Sequence, residues 1–142
     1  MLEGRIPAPP VATLLGFEID GVEAGRVVFG LRPEEFHNNP IGVMHGGVAA
    51  ALLDTVAGCA VISMLPFGVT CATLELKVNY LRSVTAGADR LSAEGSVLHL
   101  GRRSALAEGK LWSAERKLIA HATATLMIFP PEELHSGSRR PS

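Results

Sequence analysis

The hydrophobic pattern changes period twice along this chain. Leu15, Phe17 and Ile19 alternate with polar or small residues, Glu23-Ala24-Gly25 turns the chain, and Val27-Val28-Phe29 follows, which predicts a hairpin. Residues 32–40 predict a loop. From about residue 46 to 64 apolar residues run on almost without interruption. Their length and their Ala and Leu content predict one long helix, ended by Pro66 and Gly68. Past the helix the period is two. Leu74, Leu76, Val78 and Tyr80 alternate with Thr73, Glu75, Lys77 and Asn79, as in a strand with one apolar and one polar face. Thr85-Ala86-Gly87 turns the chain into a second long strand over 91–100, and Gly101 breaks that strand. A third runs over 103–112. A fourth, over 118–128, sets Leu118, Ala120, Ala122, Ala124, Leu126 and Ile128 against Ile119, His121, Thr123 and Thr125, and Pro130-Pro131 stops it.

A hairpin, one apolar helix and four strands joined in sequence leave one face of a long sheet to be covered, and only the helix is apolar enough to cover it. The expected fold class is α+β, an antiparallel sheet wrapped around one long central helix. The 142 residues suit one domain. It is expected over residues 1–130, with 131–142 as a disordered tail because apolar content falls away there.

Composition narrows the function. The net charge is −1 and the only arginine doublets are Arg102-Arg103 and Arg139-Arg140, so nothing steers toward nucleic acid. Cys59 and Cys71 lack metal-ligand spacing and read as buried free thiols, as in a reducing compartment. The first ten residues hold no apolar run of the secretory kind, and a cytoplasmic location is expected. Residues 48–65 reach the lower limit for a membrane span of about 18 residues. Asp54 near their centre would cost about 2.5–3.5 kcal/mol on insertion, which favours a buried helix and no membrane. No glycine-rich phosphate loop of the nucleotide-binding kinds is present.

The chemistry concentrates in one stretch, Asn39-Pro-Ile-Gly42-Val-Met-His45-Gly46-Gly47, running into the helix that carries Asp54. Asp54 is the sole charge between residues 48 and 65, and an acid in apolar surroundings is costly unless something satisfies or uses it. Gly46 and Gly47 let backbone amides approach a ligand where the helix begins. Each residue alone has a plainer reading. The glycines make a tight helix start, Asp54 is a capped structural acid, Asn39 is a turn residue beside Pro40, and Thr73 is a strand former. His37 reads as a solvated loop residue, and His99 and His121 as structural strand positions. The joint order lifts the group above these readings.

That order, with Thr73-Leu-Glu-Leu-Lys-Val-Asn-Tyr80 after the helix, resembles the hotdog-fold acyl-CoA thioesterases, and most closely their PaaI-type, phenylacetate-pathway branch. The resemblance covers about residues 10–130. It implies that Asp54 acts as nucleophile or as general base on water, and that the Gly46 N–H polarises the thioester carbonyl. It further implies that Asn39 orients the water or the thioester, that Thr73 helps hold water near the acid, and that His45 orients the loop. Neither a metal nor another cofactor is implied. A sister branch carries Glu in place of this Asp.

Gly46 and Asp54 stand eight residues apart, which is about 12 Å of helix rise. Catalytic contacts span about 3 Å, so one thioester does not touch both. Either the helix starts later than Gly46, or the two groups serve a site from different subunits. The second is preferred: Asn39 and Gly46 from one chain, Asp54 and Thr73 from its partner. The family implies such homodimers, paired further into homotetramers. Coenzyme A phosphates call for cations, and Arg82, Arg102 and Arg103 are candidates, with Gly47 on the substrate path. Leu53 and Ala57 are expected in the acyl pocket wall. The expected activity is hydrolysis of an acyl- or aryl-CoA. The alternatives are a hydroxyacyl-thioester dehydratase or hydratase, which calls for a catalytic His, and a non-catalytic acyl-CoA-binding module.

Overall fold

The computed structural model describes residues 9–130. The expected tail over 131–142 lies outside them. The elements are α1 (Pro10–Leu15), β1 (Glu18–Glu23), β2 (Arg26–Leu31), a 3-10 turn (Glu35–His37), α2 (Gly46–Ile62), β3 (Thr70–Tyr80), β4 (Leu91–Leu100), β5 (Ser104–Trp112) and β6 (Leu118–Phe129). The six strands make one antiparallel sheet in the order β1-β2-β4-β5-β6-β3. The sheet wraps α2, which packs against β2, β3, β4, β5 and β6. The hairpin, the long helix and the four later strands therefore stand where the periodicity set them.

The short helix α1 is a departure, since Leu15 was read as the start of the hairpin strand. Pro10 at its first position has a fixed φ suited to a helix start, and Gly16 ends it in the left-handed region at φ 81°. These two caps outweigh a brief alternation.

One stripe of α2 is fully buried: Ala49, Leu52, Leu53, Val56, Ala57, Ala60 and Val61, at three- and four-residue spacing. Each large side chain so buried contributes about 1.5–3 kcal/mol. The backbones come close because two strand positions lack side chains. A Cβ on Gly95 would fall on the Val56 carbonyl, and one on Gly109 would press on Leu53. Leu53 and Ala57, expected in a substrate pocket, belong to this core instead. The other side of α2 is open in the single chain: Asp54, Thr55, Gly58 and Cys59 are half-buried and Ile62 is exposed. The helix is thus buried on one face rather than on most sides. A nearly all-apolar helix carries no period to tell which face meets the sheet. Among the described residues no helix is long and apolar enough to cross a membrane.

β3 also departs in detail. Leu76 and Val78 pack against the core, but Leu74 is 64 % and Tyr80 55 % exposed. The ladder with β6 shifts register between Thr73 and Glu75, which takes Leu74 out of the simple alternation.

Candidate active site

The loop ahead of α2 hangs on a buried imidazole. His37 is only 1 % exposed, so it is not the solvated residue expected. Its Nδ1 accepts the Glu34 N–H at 2.9 Å, and its Nε2 lies 2.7 Å from the Leu15 carbonyl. An amide only donates and a carbonyl only accepts, so these partners assign the neutral, Nε2-protonated tautomer. The His37 carbonyl in turn accepts the His45 N–H at 2.7 Å. Asn39 shapes the same loop: its Oδ1 accepts from the amides of Ile41 at 3.1 Å and Val43 at 3.3 Å. That leaves its side-chain NH2 as the group able to donate outward.

His45 is the N-cap of α2. Its exposed side chain accepts the Gly47 N–H through Nδ1 at 2.8 Å. The first amides of a helix lack intrahelical acceptors and sit at its positive end, so the Gly46 N–H is a donor suited to developing negative charge. The Tyr80 hydroxyl donates to the Gly46 carbonyl at 2.6 Å. Gly46, Tyr80, Arg82 and Val84 line a cavity of about 310 Å³. Arg82 and Val84 also line a neighbouring cavity of about 510 Å³ that reaches Ser113 and Lys117.

The acid lies farther along α2. Asp54 Oδ1 accepts the Thr73 hydroxyl at 2.7 Å, which ties the helix to edge strand β3. The acid is half-buried, on the open side of α2, and not enclosed as the sequence suggested. Beside it, burial and then the Asp54 charge push the Cys71 thiol up, and burial pushes the Cys59 thiol up to about 11, with Cys71 adding. Thiols so shifted are poor nucleophiles near neutral pH.

Asp54 and Thr73 are thus brought together, as are Gly46, His45 and Gly47, with Arg82 nearby. The two groups stay apart on one chain, and Asp54 does not line the cavity at Gly46. Arg102 and Arg103 line a different cavity, of about 510 Å³, with Met64, Leu65 and Met127 past the far end of α2. Sequence reasoning missed Tyr80 and His37. Tyr80 had been counted as one more apolar position, although a tyrosine at the end of a strand offers a polar tip. No sequence signal marked His37.

One long helix within a wrapped six-stranded antiparallel sheet is the hotdog arrangement. The chain belongs to the thioesterase superfamily, whose family model matches residues 41–120. Within it the chain is of the PaaI type. It is 36 % identical, with a TM-score of 0.82, to the crystal structure of a phenylacetic acid degradation-related protein from Ralstonia eutropha JMP134, over 89 % of this chain and 96 % of that one. It is 31 % identical to the medium/long-chain acyl-CoA thioesterase YigI of Escherichia coli K12, over 84 % of this chain and 85 % of YigI. It is 29 % identical to the 1,4-dihydroxy-2-naphthoyl-CoA hydrolase of Listeria monocytogenes, over 80 % of this chain and 91 % of that enzyme. The protein is a thioester hydrolase.

Proposed function

We propose that this protein hydrolyses an acyl- or aryl-CoA thioester to the free acid and coenzyme A, in sites shared by two copies of the chain. The observation that carries the reading is the Asp54–Thr73 contact at 2.7 Å on the open side of α2, eight residues away from Gly46. Relatives that act on medium- and long-chain acyl-CoA and on an aryl-CoA support a CoA ester as substrate.

In this reading the eleven-residue edge strand β3 pairs with its copy about a two-fold axis. Thr73 occupies Asp54 Oδ1, and Oδ2 takes a proton from water as the water attacks the thioester carbonyl; if Oδ2 attacks as nucleophile instead, an acyl-aspartyl anhydride forms as the thiolate leaves, and water then hydrolyses the anhydride and supplies the thiolate's proton. The oxyanion forms against the Gly46 N–H of the partner subunit, a donor of a kind that contributes about 3 kcal/mol. Collapse expels the coenzyme A sulfur, which takes up the proton. Asn39 orients the water or the thioester from the Gly46 side through its side-chain NH2. Arg82, on the wall shared by the two cavities, is placed to meet a coenzyme A phosphate, and Arg102 and Arg103 are further candidates. The cap made by His45 Nδ1 counts against a dehydratase: with Nδ1 accepting, the neutral imidazole carries its proton on Nε2 and has no lone pair left to act as base.

The test is free-thiol release from a panel of acyl- and aryl-CoA esters, with Asp54→Asn alongside. Hydrolysis by the wild type and its loss in the variant support the reading. Equal rates in the two proteins remove Asp54 from its role.

A further inference from the structure

We infer that Tyr80 is a positioning residue for the Gly46 amide, acting through the hydroxyl that it places on the Gly46 carbonyl. This rests on the proposed role of Gly46 as the donor to the thioester carbonyl.

The helix start carries two adjacent glycines, the residues with the most backbone freedom to lose. The first turn of a helix has the fewest internal hydrogen bonds to restrain it. An amide that must meet an oxyanion within a few tenths of an ångström therefore needs support from outside the helix. The structure supplies three supports around the Gly46 N–H. The His45 N–H is held by the His37 carbonyl at 2.7 Å, upstream of the donor. The Gly47 N–H is held by His45 Nδ1 at 2.8 Å. The carbonyl of the same Gly46–Gly47 peptide is held by the Tyr80 hydroxyl at 2.6 Å. That peptide is thus gripped at both its polar atoms. With His45 tied upstream, the remaining torsions at Gly46 are fixed and its own N–H is aimed.

Tyr80 is the support that comes from β3 rather than from the loop. Its ring also lies against the space above Gly46, where a Cβ would meet the ring 3.1 Å away. Absence of a side chain at Gly46 lets the ring come close, and the hydroxyl then reaches the carbonyl. β3 carries Thr73 as well. One strand consequently sets both groups of the proposed chemistry, the acid through Thr73 and the amide through Tyr80.

Tyr80→Phe keeps the ring and removes the hydroxyl. The expected result is kcat lowered about fivefold, the size of one neutral hydrogen bond, with KM for the CoA ester and the melting temperature little changed. Amide hydrogen exchange should quicken at Gly46 and Gly47 and stay as it was in β5 and β6. Asp54→Asn, measured in parallel, separates the two ideas. If it is inactive while Tyr80→Phe keeps full kcat and unaltered exchange, the positioning role fails and the catalytic reading stands. If Asp54→Asn is as active as the wild type, Asp54 loses its role, and the Tyr80→Phe result alone then decides this inference. A Tyr80→Phe variant whose loss lies in KM alone would make Tyr80 a substrate contact and overturn the positioning role.

Discussion

The sheet has two edges, and they are built for opposite ends. β1 is six residues long, shifts register between Ile19 and Gly21, and is flanked by ion pairs from Arg90 to Asp20 at 2.7 Å and Glu18 at 3.4 Å. A short, irregular, charged edge discourages pairing with another chain. β3 is eleven residues long and presents Leu74 and Tyr80 to solvent. It also carries Thr73, which holds the one acid of α2. An edge left long and next to the proposed chemistry is one that a second copy would complete. In the proposed reading the longer edge, rather than any enclosed cavity, is where the site is finished.

The sharpest break of this comparison is a complementation experiment. Gly46→Pro removes the donor N–H at a first helical position, where proline is well tolerated. A Cβ there meets the Tyr80 ring 3.1 Å away, so the exposed ring shifts and its contact with the Gly46 carbonyl is disturbed along with the donor. This variant and Asp54→Asn should each lose about 10²-fold or more in kcat. Mixed and re-equilibrated in equal amounts, they should recover about a quarter of wild-type activity, because half the two-fold dimers are mixed and each holds one intact site. Sites complete within one chain would recover nothing.

Next in size is the β3 edge itself. Leu74→Lys should weaken self-association by about 10²- to 10⁴-fold, the cost of not burying two large apolar side chains, one from each copy. Sedimentation should show monomer, and activity at fixed concentration should fall in step. An unchanged assembly would place the interface elsewhere. Thr73→Val removes a hydrogen bond to a charged group, worth about 1.5–3 kcal/mol. It should lower kcat with the assembly intact, and steady-state kinetics beside sedimentation would check both.

The smallest effect belongs to the defended edge. The Arg90 hydrogen bond holds the Asp20 carboxyl below its ordinary value of 3.8. A depressed carboxylate stabilises the fold above that ordinary value, and the gain is lost as the pH falls below it. The pair is partly exposed, so the whole contribution is under about 1 kcal/mol. Arg90→Ala should lower the melting temperature slightly at pH 7 and progressively less toward pH 3, with activity and assembly untouched.

The succession of elements along the chain was legible because period and composition carry it: alternation in β6, and an unbroken Ala- and Leu-rich run in α2. The family was legible through the joint order of Asn39, Gly46 and Asp54. Three things were not. Leu53 and Ala57 turned out to be core, since a helix apolar all round does not show which side meets the sheet. Leu74 turned outward, since a register shift leaves no mark in residue types. His37 turned inward, since an imidazole that satisfies two backbone groups looks in sequence like any loop histidine.

That imidazole has a consequence at a distance. Its Nε2 ends on the carbonyl of Leu15, the last residue of α1. The short leading helix, which touches none of the proposed reacting groups, is therefore a foot of the scaffold on which the Gly46 amide stands. Disturbance at that foot would reach the Gly46 end of α2 as well as the core that Ala12 helps fill.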